Sequence, residues 1–227
     1  MKRRLLTLII VGLLLTLASC TSRNPKLFFG DGKCNLPCWY GLIPNRTTLS
    51  DSPEILKSLP IIERQSVASR SFANPPETDV RWDFTGDTIG YGHLEFDANS
   101  VLERIKIVPN GLNLGDVVDF WGNPPSVWAV YHHDPGGLYY FLTVFYPERG
   151  ISVETMGHQL RKESSTGNED VNRDMSVTVI NLYDPGRGVE YYFAHIAFAS
   201  EAKTQSYIKQ LLPWTGFGKD AIHVTWR

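Results

Sequence analysis

The chain has 227 residues, with 22 basic against 24 acidic side chains and a formal net charge of −2 at pH 7. That length suffices for one large domain or two small ones, and beyond the first four residues no Lys/Arg run marks a nucleic-acid-binding surface. Aromatic residues make up 12% and fall mostly in strand-like segments, as they do in the core of a β-rich domain.

In chain order, Lys2-Arg3-Arg4 precede an apolar run over residues 5–17 that ends in Leu17-Ala18-Ser19-Cys20. The run is short of the ~20 residues that cross a bilayer, and no basic stop-transfer cluster follows it. Residues 1–19 therefore read as a secretory signal peptide with a cysteine at its cleavage site. The segment resembles the lipobox of bacterial lipoproteins. That resemblance implies lipidation of Cys20 as the mature N-terminus and anchoring, on the extracytoplasmic side, to the cell membrane or outer membrane. Two or more acyl chains make such an anchor stable. Thr21, where diderm lipoproteins retained at the inner membrane carry Asp, gives no retention signal. Without residues 1–19 the chain keeps 19 basic against 24 acidic residues.

Residues 20–33 read as a short lipidated tether. Cys34 and Cys38 follow, an even pair that in an oxidising compartment is expected to form a disulfide. Two thiolates are only half a zinc site, no His, Asp or Glu cluster adjoins them, and a redox motif would have two intervening residues rather than three.

A first helix-plus-sheet unit is expected over 34–109. Thr48 or Ser50 caps a helix with Ile55, Leu56 and Leu59 on its apolar face, Pro53 in its first turn and Pro60 at its end. A polar stretch leads to strands at 80–84, 89–96 and 101–108, with a turn at 97–100. Ile105 and Ile107 alternate with Arg104 and Lys106, which marks a sheet with one wet face. A second unit is expected over 110–227. Asn113 and Asp116 form a capping-box-like pair ahead of Val117, Val118 and Trp121, and Gly122 with Pro124-Pro125 stops the helix. Strands follow at 127–132, 138–146 and 151–155, the middle one apolar on both faces and so central. Residues 157–174 read as a loop. Strands at 175–183 and 189–198, a helix at 200–212 and a last strand at 221–226 complete the chain. The fold class is α+β, with short helices packed on antiparallel sheet. The caps Thr48 and Asn113 stand 65 residues apart, which suggests a tandem pseudo-repeat.

Two segments carry a family likeness. Leu36-Pro37-Cys38-Trp39-Tyr40-Gly41-Leu42-Ile43-Pro44 resembles the opening of a group of uncharacterised bacterial lipoproteins. Asn113-Leu114-Gly115-Asp116-Val117-Val118 with Trp121-Gly122-Asn123-Pro124 resembles the helix-then-Gly-x-Pro step of SmpA/OmlA-type outer-membrane assembly lipoproteins and β-lactamase-inhibitor-like modules. The resemblance implies helices on one face of an antiparallel sheet and carries over no catalytic residues. The first unit departs from it, with Leu59-Pro60 in place of Gly-x-Pro.

Sites of chemistry are sparse. His132-His133-Asp134 is the one tempting cluster, but neighbouring histidines on a strand point to opposite faces, so a polar strand end is the simpler reading. His93 and Glu95 share a strand face and would make half of a metal or acid–base site, or a plain polar surface. No Gly-x-Ser-x-Gly elbow, phosphate-cradling loop or His-Glu-x-x-His is present. Asn45-Arg46-Thr47 matches the glycosylation pattern by chance. Trp82, Tyr91, Trp121, Trp128, Tyr139 and Tyr140 suggest either sugar stacking or an aromatic core, the second being commoner for strand residues. No catalytic residue, metal or cofactor is expected. The leading expectation is a membrane-tethered, non-catalytic module that binds a protein partner of the envelope, with an exposed apolar or aromatic patch. A solute- or glycan-binding lipoprotein, with an aromatic-lined concave site, is the alternative, and an envelope hydrolase comes third.

Overall fold

A sheet of nine strands organises the molecule. The structure, a computed structural model, describes residues 25–73, 76–86, 90–134, 137–160 and 168–223. The strands are β1 (Ala68–Ala73), β2 (Pro76–Asp83), β3 (Tyr91–Phe96), β4 (Leu102–Val108), β5 (Ser126–Asp134), β6 (Gly137–Tyr146), β7 (Ile151–Leu160), β8 (Asn168–Val171), β9 (Ser176–Tyr183), β10 (Leu212–Pro213) and β11 (Gly218–His223). The helices are α1 (Ser52–Ser58), α2 (Leu114–Trp121), α3 (Gly188–Tyr191) and α4 (Glu201–Ile208). The large sheet runs β1-β2-β3-β4-β9-β7-β6-β5-β10 with every neighbouring pair antiparallel, and β8 and β11 form a separate pair. This is the expected α+β class. A helix precedes an antiparallel meander twice, α1 before β1–β4 and α2 before β5–β7, and the two meanders meet on either side of β9.

Period-two alternation decides which side chains enter the core. Val80 and Trp82, Leu94, Ile105 and Ile107, Ile180 and Leu182, Ile151 and Val153, and Leu142 and Val144 form one buried cluster along the sheet. Leu56 of α1, Leu114 and Val117 of α2, and Trp39 join it from above. Trp82 stands directly across from Gly92 in the β2–β3 register, and its indole occupies the space a side chain at 92 would need. Trp39 lies 5.5 Å from Trp82, ring to ring, and its indole N–H donates to the Phe28 carbonyl at 3.2 Å. Phe28 and Phe29 are buried. Within the segment expected as tether, Phe28 and Phe29 thus pack onto the core, while residues 31–33 are exposed.

Local chemistry sets the helix ends. Pro53 falls in the first turn of α1, where its missing N–H costs nothing. The Asn113 N–H donates to Asp116 Oδ2 at 3.1 Å, which secures the start of α2. At its other end Gly122, at φ 82°, donates its N–H to the Val118 carbonyl, while Arg149 and the Tyr146 hydroxyl donate to the carbonyls of Trp121 and Gly122 at 2.8 and 2.7 Å. The 97–100 turn closes as expected, with Asp97 Oδ1 accepting from the N–H groups of Asn99 and Val101.

Three segments differ from expectation. Residues 189–198 are not a strand but α3 followed by a π-turn, Tyr192–Ile196. Tyr192, Phe193 and Ile196 share one helical stripe that covers Phe145 and Trp128 on the second face of the sheet, and this cover overrides their strand propensity. Residues 68–73, within the expected polar stretch, form β1. Residues 157–174 contribute the end of β7 and all of β8, because β11 supplies β8 with a partner. No described helix is long and apolar enough to cross a membrane.

Candidate functional site

The second face of the sheet is covered over β5, β6, β7 and β9 by α3, the π-turn and α4, and open over β2, β3 and β4. Along β3 the residues alternate half-buried and buried, so Tyr91, His93 and Glu95 share the open face. Asp79 and Arg81 of β2 and Arg104 and Lys106 of β4 flank them in register. Asp79 and Glu95 are directly opposite each other, a repulsive pair unless neutralised. Each has a partner. Arg104 donates Nε to Glu95 Oε2 at 2.7 Å and Nη2 to Oε1, a two-point pairing in which the Arg104 side chain is 9% exposed and Glu95 39%. His93 Nδ1 lies 3.3 Å from Asp79 Oδ2. Burial lowers the His93 pKa below its ordinary value, outweighing the Asp79 carboxylate that raises it, so the ring is neutral at pH 7. Arg81 stacks on Tyr91 at 4.6 Å from the ring centre.

Where the open and covered halves meet there is a cleft of about 250 Å³. Asp79, Glu95 and Arg104 form its floor. Glu103 is the extra residue where the β3–β4 register shifts, and this bulge brings it to the cleft wall. Its Oε1 accepts from Arg187 Nη1 at 2.8 Å. Arg187 in turn lies over one ring of Tyr191 at 4.7 Å, and His195 stacks with the same ring at 4.7 Å. Burial, then the Glu103 charge, pushes the Tyr191 phenol up to about 12. Phe198 stands at the lip, 86% exposed and at φ 51°. Backbone bonds on either side of it, Ala197 N–H to the Tyr192 carbonyl and Ala199 N–H to the Phe193 carbonyl, both 2.8 Å, fix that left-handed conformation.

Under the covered half lies a polar row. Asn181 donates Nδ2 to Ser152 Oγ at 3.3 Å and Glu154 Oε1 at 3.0 Å, and the hydroxyls of Thr143 and Tyr192 are 3.2 Å apart. Burial raises the phenol pKa of both Tyr183 and Tyr192, so they stay protonated. This row fixes the seating of the π-turn on the sheet.

Cys34 and Cys38 form the expected disulfide, with Cα atoms 5.7 Å apart. Residues 1–19 and Cys20 lie outside the described residues. His93 and Glu95 do share a face, but each is paired with a neighbour, and among the described residues no group of three His, Cys, Asp or Glu side chains is placed to hold a metal ion. His132, His133 and Asp134 belong to β5, and their side chains fall outside the described ones, as does that of Tyr139. Trp82, Trp121 and Tyr140 are buried, and Trp128 packs 5.1 Å from Phe193 and 5.0 Å from Tyr207. These four aromatics therefore build core rather than a sugar platform. Large exposed apolar side chains among the described residues are Phe120, Met156 and Phe198, on α2, β7 and the turn after α3. Sequence reasoning missed Asp79, Glu103, Tyr191, His195 and Phe198 as site residues. The shared strand face of His93 and Glu95 and the Arg104/Ile105 alternation pointed toward this face.

The two edges of the large sheet differ. β10 is two residues long and includes Pro213, so it offers almost no pairing surface. β1 is six residues long, pairs with β2 from Ala68↔Arg81 to Ala73↔Pro76 without a register shift, and is exposed from Ala68 to Ser71. Among the described residues no strand pairs with its outer edge. No protein-family model matches the chain, and neither does any curated protein or solved structure.

Proposed function

We propose that this chain is a lipid-anchored lipoprotein on the extracytoplasmic side of a bacterial membrane, acting without catalysis as a module that binds a protein partner of the envelope. The observation that carries the binding reading is the free edge of β1. A regular, bulge-free strand with an open row of N–H and C=O groups is a template for an added strand, while the opposite edge is closed by shortness and proline. Arg70 is the one charge on β1. In the antiparallel self-pairing centred on it the two copies repel, which favours as partner a different protein with an extended segment.

The anchoring half rests on Lys2-Arg3-Arg4, the apolar run and Ala18-Ser19-Cys20, and the Cys34–Cys38 disulfide is consistent with an oxidising compartment. Seven residues separate Cys20 from the buried Phe28. At ~3.5 Å per extended residue the domain rides within about 30 Å of the lipid surface, so a partner is met at the membrane. A glycan-binding reading loses four of its six candidate aromatics, Trp82, Trp121, Trp128 and Tyr140, to the core. A hydrolase would need a nucleophile at His93 Nε2, the nitrogen left over by the Nδ1 contact with Asp79, and among the described residues no hydroxyl or thiol bonds it.

The test is in-cell crosslinking of the lipidated protein, followed by affinity capture and mass spectrometry, with Cys20→Ala as control. A stoichiometric envelope protein, captured with the wild type and lost in the control, supports the proposal. An abundant, folded protein with no captured partner argues for a small-molecule ligand instead.

A further inference from the structure

We infer that the Phe198-lipped cleft receives a cationic side chain, arginine or lysine, of the protein partner. This rests on the protein-binding reading above but concerns a second contact, away from the β1 edge. Size points first to a side chain: at about 250 Å³ the cleft is below the ~300–1,000 Å³ of pockets that hold whole small molecules.

Charge decides the sign. Among the residues that line the cleft, Asp79, Glu95 and Glu103 stand with one guanidinium, Arg104, and the His195 ring. Counting Arg187 as well, through its bond to Glu103, the carboxylates still exceed the guanidiniums by one, and Arg81 and Lys106, beside His93 on the same face, do not line it. The cations are also unavailable to an incoming anion. Arg104 is buried with Nε and Nη2 on Glu95, and Arg187 bonds Glu103 while lying over Tyr191. Arg70, across from Asp79 in the register, makes no ion pair with it. Glu103 keeps acceptor capacity: it has Oε1 on Arg187 and a side chain 30% exposed, leaving Oε2 for a guest.

The lip supplies a π-face. Tyr191 is already flanked by Arg187 and His195, whereas the Phe198 ring is free and held outward by a backbone conformation that a bulky residue adopts only under strain. An exposed phenyl ring above a carboxylate rim is the arrangement that holds a guanidinium or ammonium, by ring stacking on one side and charge-assisted hydrogen bonds on the other.

The experiment is NMR of the full, lipidated chain in detergent micelles with ¹³C-labelled phenylalanine, reading Phe96 and Phe198. N-acetyl-arginine N-methylamide is titrated against its neutral isostere, N-acetyl-citrulline N-methylamide. The inference expects saturable shifts at both phenylalanines with the arginine probe and affinity about tenfold weaker for citrulline. Glu103→Gln, which keeps an oxygen for Arg187, and Phe198→Ala, which removes only an exposed ring, each weaken the arginine probe at Phe96. Equal response to both probes, no saturable shift, or undiminished binding in both variants overturns it. No response to the arginine probe while in-cell crosslinking still captures an envelope partner would refute the cleft assignment alone, and failure of that capture with the probe still bound would refute the protein-binding reading instead.

Discussion

Gly92→Ala tests how the site-bearing strand β3 is seated. A Cβ at 92 would lie 2.0 Å from Trp82 Cζ2, 2.3 Å from Cε2 and 2.5 Å from Cη2. Carbon atoms pack at ~3.5–4.0 Å, so the indole or the strand has to shift by roughly 1.5 Å. The ring has little room: Trp82 is fully buried, with Trp39 at 5.5 Å and Phe84 at 6.3 Å. Overpacking of this kind costs up to about 3 kcal/mol, or roughly 6–12 °C in Tm for a chain of this size. Thermal and urea unfolding, followed by circular dichroism, would read it. In a Trp82→Leu background the struck atoms are gone, and the same change should become neutral to stabilising by about 0.5–1 kcal/mol, since alanine suits a strand better than glycine. A cost within 0.5 kcal/mol in the wild type, or an equal cost in both backgrounds, would refute the packing argument.

Glu95→Ala leaves the Arg104 guanidinium buried without its two-point partner. Because Glu95 is 39% exposed, the cost in urea unfolding should fall below the ~3–5 kcal/mol of a fully buried pair, at about 2 kcal/mol. His93 has a folded-state pKa below its unfolded value, so its contribution is fully present above about pH 6.5 and is lost as pH falls from there through the lowered pKa. Urea midpoints at pH 7.5 and 5.5 should fall less in His93→Gln than in the wild type, and equal falls would contradict this. Removing the Cys34–Cys38 link as the double Ser variant should cost about 2 kcal/mol, the loop-closure figure for so short a loop, with the effect reproduced by reductant.

Legibility followed locality. The Asn113–Asp116 cap, the Asp97 turn, the Ile105/Ile107 alternation and the central placement of β6 all arise from neighbours in sequence, and each is found where the residues put it. β1 was missed because Ala68 to Ser71 are exposed, and a stretch that buries no side chain shows no alternation. The 189–198 segment was misread because Tyr, Tyr, Phe and Ile favour a strand locally. Its helical stripe gains meaning only from Phe145 and Trp128 beneath it. The cleft is less legible still. Asp79 meets Glu95 and Glu95 meets Arg104 only through the pairing of separate strands, Glu103 meets Arg187 only at a one-residue register shift, and Phe198 reaches the lip from a different part of the chain.

The most direct test of the account is site-specific photo-crosslinking in living cells from Ser69 or Ser71 of β1, compared with Cys20→Ala. A discrete adduct from β1 is predicted with the lipidated protein, absent when Cys20 is replaced and lost when lysines at Ser69 and Ser71 block the edge. A lipidated, folded protein that gives no adduct from either position, or one whose adduct persists unchanged in Cys20→Ala, would contradict a membrane-tethered module that binds through this edge.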